Sequence, residues 1–279
     1  MPRIFSLAHL TALQLPPPAL VDAAARAGYD QVGIRLLSPA PGIAAYPLMD
    51  DAAMLRETLA RLKDTGRSVL DIEIVRLGED FDVHRLTAFL ETGAALGARA
   101  ILVAGDDREP HRLAGSFAAF CAAAKPYGMT VNIEFMPWTA VPDARAALRL
   151  VNDAGRPDNG RVLVDAIHYA RSATRLDEIA ALPRAWLRYM QLSDAPAGIP
   201  DSMDEILRQA RCQRLLPGEG GIDLDGLLAA LPADLPVAVE VWDEKRAPAM
   251  GLEEWIRRAL AAARLVAAGG DAGSKRAGS

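Results

Sequence analysis

A chain of 279 residues, 51% of them hydrophobic, can bury a large core, and its length suits one large domain or two small ones. No run approaches the roughly 18 apolar residues of a membrane span, and the start, MPRIFSLAHL, is interrupted too soon to read as a secretory signal. With 31 basic against 36 acidic residues, a net charge of -5, nothing draws the molecule toward a nucleic-acid backbone or an anionic membrane. Cys121 and Cys212 stand in no metal or redox spacing, which fits a reducing cytoplasm. The expected partner is therefore a small-molecule substrate, and self-association into a homo-oligomer stays open.

Residues 4–10 alternate loosely and read as a first strand ending near His9, followed by the Pro16-Pro17-Pro18 start of a helix that Gly28 stops. A second strand over 31–37 leads into a loop with Pro39, Pro41, Gly42 and Pro47, after which Leu55, Leu59 and Leu62 recur at helical spacing up to Gly66. Ser68–Leu77 makes a third strand, paired with a helix whose apolar face is Leu86, Phe89, Leu90 and Gly93. The fourth strand, 98–104, precedes a helix with Leu113, Phe117, Phe120 and Ala124 on one side. A fifth strand at 130–135 is followed by a helix over 142–154, and a sixth strand at 162–171 by a short helix over 176–182. Leu187–Leu192 is the seventh strand. A long irregular segment, 193–221, with a helical middle at 202–211, comes next, then a helix at 224–231, a last strand at 237–241 and an eighth helix at 252–268.

Strict alternation of eight strands and helices with no linker-like break favours an α/β fold, a single (β/α)8 TIM barrel over residues 1–270, with 271–279 a disordered tail. No glycine-rich dinucleotide fingerprint follows the first strand, which counts against an open doubly wound sheet.

The stretch 162–171, VLVDAIHYAR, places an acid and an imidazole three residues apart at the end of an apolar run. Val162, Leu163 and Val164 suit a strand covered on both faces, whereas Asp165 and His168 are costly to bury without a partner. Taken alone, the segment reads equally well as a capping aspartate and a satisfied core histidine. Three more strands change that balance. The fifth carries Glu134 in NIEFMPW, the seventh Gln191 in YMQLSDAP and the eighth Glu240 in VAVEVWDE, and in a parallel barrel such strand ends face one another. Carboxylates crowded into one mouth repel and are driven neutral unless a divalent cation is present. Oxygen-rich ligation by Glu134, Asp165, Gln191 and Glu240 suits a hard ion: manganese (Mn2+) is expected, with magnesium (Mg2+) or cobalt (Co2+) as alternatives. Such an ion could hold two adjacent oxygens of a hydroxy-ketone and stabilise its enediolate, with Glu134 and Glu240 as the two proton carriers of an isomerase or epimerase.

In these motifs the chain resembles the xylose-isomerase-like barrels, which include sugar 3-epimerases, inosose dehydratase, dehydroshikimate dehydratase and endonuclease IV. The elements that carry the resemblance are Glu134, the Asp165 to His168 pair, the Gln191 to Asp194 pair and Glu240, spread over nearly the whole chain. It implies that the two glutamates are both ligands and acid–base groups and that His168 binds substrate hydroxyls. The departure is Gln191, where the family more often has histidine, and this puts the identity of the metal in question. With only His9, His84, His111 and His168, the chain lacks the histidines of a zinc-cluster DNA-repair enzyme.

Weaker candidates for the same mouth are His9, Arg35, Glu73, Asp106, Trp138, Arg211 and Arg214; of these Trp138 could floor a sugar ring, and Glu73, Arg214 and His9 could bind substrate. Asp194 could orient a ligand from behind. The PGEGG run at 217–221 could bind an anion through its amides, although a glycine turn is the commoner reason for it. The competing functions are a lyase or dehydratase on a cyclic or sugar-like keto substrate, which shares the first proton abstraction, and a non-catalytic sugar-binding barrel.

Overall fold

The computed structural model describes residues 3–38 and 45–276, with side chains to 269. Eight parallel strands close into a barrel in sequence order: β1 (Phe5–Leu7), β2 (Gln31–Arg35), β3 (Ser68–Leu77), β4 (Ala100–Gly105), β5 (Thr130–Glu134), β6 (Gly160–Asp165), β7 (Leu187–Leu192) and β8 (Val237–Val239). Closure comes from β1 lying beside β8, with Phe5 opposite Val237 and Leu7 opposite Val239. Around this sheet run α1 (Pro17–Ala27), α2 (Ala52–Thr65), α3 (Thr87–Ala95), α4 (Pro110–Ala124), α5 (Ala144–Asp153), α6 (Ala166–Arg171), α7 (Leu176–Ala180), α8 (Met203–Cys212), α9 (Leu224–Ala230), α10 (Arg246–Met250) and α11 (Leu252–Arg276). The proline-rich part of the loop after β2, with Pro39, Pro41 and Gly42, lies outside the described residues. So do residues 277–279 of the expected tail and the side chains from 270 on.

Local chemistry accounts for the helix boundaries. Pro17 opens α1, Gly28 closes it at φ +90°, and Asp51, Asp143 and Ser202 each accept from backbone amides at the first turns of α2, α5 and α8. The sequence suggests one short helix after β6, but there are two. Asp165 accepts from the Ile167 amide and starts α6 at once, so the apolar run does not continue as strand beyond the acid. The first and last strands are also shorter than the sequence pattern suggests. His9 lies in a 3-10 turn over His9–Ala12, and Glu240 stands one residue past β8, where its amide still bonds to the Leu192 carbonyl.

The core has two shells, and the strand period of two sorts residues between them. Ile101, Val103, Val131, Ile133, Val162, Val164, Met190, Leu192, Val237 and Val239 pack outward, in the same cluster as the helix residues Leu20, Phe117, Phe120, Trp255 and Ile256. Inside the barrel are Leu70, Ile74, Ala100, Leu102, Ala104, Leu163, Tyr189 and Ala238. The valines around each acid therefore face the helices. The acids occupy the alternate, inward positions, so only the outward row of β6 meets the helices. At Gly33 a Cβ would come 2.8 Å from Asp71 Oδ1, so the bare backbone of β2 makes room for an inward carboxylate on β3.

Two buried groups hold loops to this frame. The first is His9, whose Nδ1 accepts from the Arg35 amide at 2.8 Å while Nε2 lies 3.0 Å from the Leu15 carbonyl, with its ring stacked on Tyr46. The second is Asp194 at the end of β7. Its Oδ1 accepts from the amides of Ala195 and Ile222, and its Oδ2 from those of Gly218 and Gly220. At Gly220 a Cβ would come 2.3 Å from Asp194 Oδ1. The glycine run does cradle an anion, but that anion is the chain's own aspartate, which pins the far end of the 193–221 loop.

Replacing Asp194 with alanine leaves four amides without their acceptor, and the expected loss is on the order of 3 kcal/mol in chemical denaturation; an unchanged midpoint would show that the loop holds itself. Burial depresses the His9 pKa from 6.5 to about 4. The unfolded chain therefore takes up a proton below about pH 6.5 that the folded chain refuses until about pH 4, so stability falls across that interval as pH drops. A pH series of melting curves should show a shallower fall in His9→Asn than in the native chain.

Candidate active site

The C-terminal ends of the strands surround a cavity of about 220 Å³ lined by Glu73, Glu134, Trp138, His168, Arg214 and Glu240 among others. Glu134 ends β5, Asp165 ends β6, Gln191 is the fifth residue of β7 and Glu240 follows β8. Each takes an inward position of its strand, and all four side chains are buried. His168 sits on the first turn of α6, with Nε2 3.5 Å from Glu134 Oε1 and 3.9 Å from Asp165 Oδ2. Glu134, Asp165 and His168 each bring a ligand-capable atom within 4.8 Å of the others. His168, expected at the substrate, therefore also lies within reach of the candidate metal ligands.

Gln191 donates from Nε2 to Glu240 Oε1 at 3.0 Å, while its own Oε1 has no partner. Trp138 meets the edge of the His168 ring at 5.0 Å between centroids, and the Arg211 guanidinium stands 5.9 Å over the indole. Glu73 lines the cavity and pairs with Arg35 at 3.3 Å. Asp106 is bound by Arg76. His9 lies outside the cavity lining, and the two backbone contacts already described leave it no ring nitrogen to offer a substrate.

The largest departure from expectation is Arg214. Its side chain is 3% exposed, with Nη1 2.8 Å from Asp165 Oδ2 and Nη2 2.9 Å from Glu240 Oε2. Further contacts run from Nη1 to Ser193 Oγ and the Glu240 carbonyl, and from Nε to the Ala210 carbonyl. The loop carries it there through the paired backbones of Asp194 and Leu215 and through the Arg214 amide, which bonds to Trp242. The sequence suggests substrate hydroxyls as partners of Arg214; its nearest partners are two of the candidate metal ligands. Nothing in the local sequence distinguishes Ser193 or the cavity walls Leu10, Leu13, Leu102, Met136 and Trp242 from ordinary loop and core residues.

Burial and the charges of Asp165 and Glu240 hold the Glu134 carboxyl well above its ordinary range. Burial likewise raises Glu240, against the pull of Arg214. Asp165 goes the other way: burial opposes its charge, but the Arg214 guanidinium and the Ile167 amide together hold its carboxyl below the usual range. Burial lowers the pKa of His168 to about 4, so the ring is neutral and able to accept or ligate. Asp71, deeper in the barrel, is raised by burial and by Glu73.

These residues fit a divalent cation. Glu134 Oε1 and Gln191 Oε1 are buried and without hydrogen-bond partners. Buried acceptors of this kind, beside three carboxylates that repel one another, are what a hard cation satisfies.

A family model described as a xylose isomerase-like TIM barrel matches residues 21–265. A 3-dehydroshikimate dehydratase of Pseudomonas aeruginosa is 30% identical over 140 residues, a match covering 49% of this chain and 21% of that protein. Among solved structures, the IOLI protein with a bound zinc atom superposes with a TM-score of 0.76 at 21% identity, covering 95% of this chain and 98% of its own. L-ribulose 3-epimerase superposes at 0.70 and 17% identity, covering 100% and 99%. The family match runs from the first helix of the barrel into the last, and the chain accordingly belongs to the xylose isomerase-like TIM barrel family.

Proposed function

We propose that this protein is a metal-dependent lyase that removes a proton next to the carbonyl of a small cyclic or sugar-like keto substrate and expels water from the neighbouring carbon. The observation that carries the reading is the pair Glu134 and Glu240, two buried carboxyls held above their ordinary range and facing one cavity. A carboxyl in that condition can act as a base toward a carbon acid or return a proton as an acid. Glu134 is the better base, since its Oε1 has no hydrogen-bond partner, whereas both oxygens of Glu240 are engaged. A divalent ion held by Glu134, Asp165, Gln191 and Glu240, Mn2+ in the first instance and Mg2+ or Co2+ as alternatives, would supply Lewis acidity that makes the neighbouring C–H acidic.

His168 and Trp138 form one wall, suited to a substrate hydroxyl and to the face of a ring. Leu10, Leu13, Leu102, Met136 and Trp242 make much of the rest apolar. Such walls suit a ring with few hydroxyls better than a free hexose, each of whose hydroxyls needs a polar partner. That preference, with the local identity to a 3-dehydroshikimate dehydratase, makes 3-dehydroshikimate the first substrate to try. Two free cysteines, Cys121 and Cys212, and the lack among the described residues of any helix long and apolar enough to cross a membrane are compatible with a cytoplasmic enzyme.

The second reading is an isomerase or epimerase of a small polyhydroxy ketone or aldehyde. It is favoured by the same pair of glutamates, because one can take a proton from one face of the substrate and the other return it to the opposite face.

Incubation of the metal-loaded protein with 3-dehydroshikimate should give a dehydrated product with a new ultraviolet absorbance; C–H exchange with deuterated water and epimer formation on a ketose panel, without dehydration, would select the second reading. Glu134→Gln and Glu240→Gln should each lower turnover by about 10²–10⁴-fold; full turnover in both would sink both readings. Chelation should abolish turnover and Mn2+ should restore it.

A further inference from the structure

Arg214 stands among the residues assigned to the ion, and its partners are the ion's own candidate ligands. Of the two oxygens of Asp165, Oδ1 accepts from the Ile167 amide and Oδ2 from Arg214. Of the two of Glu240, Oε1 accepts from Gln191 and Oε2 faces Arg214 at 2.9 Å. By contrast, Glu134 and Gln191, which Arg214 does not touch, each keep an oxygen with no partner. The ligand set is thus divided into an open half and a half already neutralised by a side chain.

A guanidinium cannot shed its proton under these conditions, so its charge stays wherever its carbon stem holds it. The stem is held firmly: Nε bonds to the Ala210 carbonyl at 2.7 Å and the backbone amide to the Trp242 carbonyl at 2.9 Å. A divalent ion drawing on Asp165 and Glu240 meets either a guanidinium that must release an oxygen or a fixed positive charge a few ångströms away, and both weaken binding. In the other direction, buried carboxylates with neither an ion nor an arginine would be uncompensated, which destabilises a fold strongly.

We propose that Arg214 is an internal competitor of the divalent cation: it holds Asp165 and Glu240 together when no ion is bound, and its fixed charge opposes an ion that draws on the same two carboxylates. Arg214 keeps the metal-free barrel folded at the expense of metal affinity, so ion uptake is reversible. This inference rests on the metal-dependent reading above.

The test compares the native chain with Arg214→Met by calorimetric titration with Mn2+ and by thermal unfolding in chelator and in saturating Mn2+. In Arg214→Met, Mn2+ should bind about tenfold or more tightly, the melting temperature in chelator should fall by about 5–10 °C, and the gain on adding Mn2+ should widen. Equal or weaker binding in the variant would overturn the competition and make Arg214 a positioning residue for the ligands; so would an unchanged melting temperature in chelator. If Arg214→Met does not fold without metal, Arg214→Lys carries the same comparison. Lysine keeps the charge but cannot span both carboxylates, so its Mn2+ affinity should exceed the native value, and an affinity at or below native overturns the proposal. Absence of Mn2+ binding in every form would remove the metal from the functional reading as well, whereas Mn2+-dependent turnover of the native chain with no gain in variant affinity would remove only the competition.

Discussion

The constraint on which the site depends is the two-residue period of a closed parallel barrel. Each strand has one row of side chains facing the helices and one facing the axis, and closure turns eight inward rows toward one another. In β4 through β8 the outward row is valine, isoleucine, leucine and methionine, which satisfies the helices. The inward row is free to be small, at Ala100, Ala104 and Ala238, or polar, at Glu134, Asp165, Gln191 and Glu240. Apolar packing on one face and chemistry on the other therefore come from the same short strands, without conflict.

That arrangement brings like charges together, and the molecule offsets the repulsion in more than one way. Two glutamates have raised pKa values, the aspartate stays charged against an arginine, and the histidine among them is neutral. Groups pushed apart in this way within one cavity can divide the roles of acid, base and ligand. The loop 193–221 is part of the same balance. Asp194 fixes its end through four amides and the loop delivers Arg214 to Asp165 and Glu240, so a capping interaction at the rim sets the charge at the centre.

Much of this was legible in the chain. Eight alternating strands and helices, with glycines at the helix ends, favoured the barrel over an open sheet without fixing its closure, which the pairing of β1 with β8 supplies, and acids stranded among β-branched residues pointed to the mouth. Trp138, Glu73 and Arg214 stand at the cavity, and Arg211 stacks on Trp138 as a further lining residue. His9 looked like the same kind of residue, since a histidine at the end of a first strand has no local feature to show whether its nitrogens will meet a ligand or a backbone amide.

What the sequence determined by itself is the set of local preferences: where strands and helices start and stop, which residues are apolar, and which strand ends carry ionisable groups. Those follow from propensity, capping and periodicity, all of which act over a few residues. Only the tertiary structure decided that the PGEGG amides enclose Asp194, that His9 is held by the Arg35 and Leu15 backbones, and that Arg214 lies between Asp165 and Glu240. The last of these joins residues 49 and 26 positions apart in the chain. Such pairings depend on barrel closure and on the path of a long loop, and no local pattern encodes either.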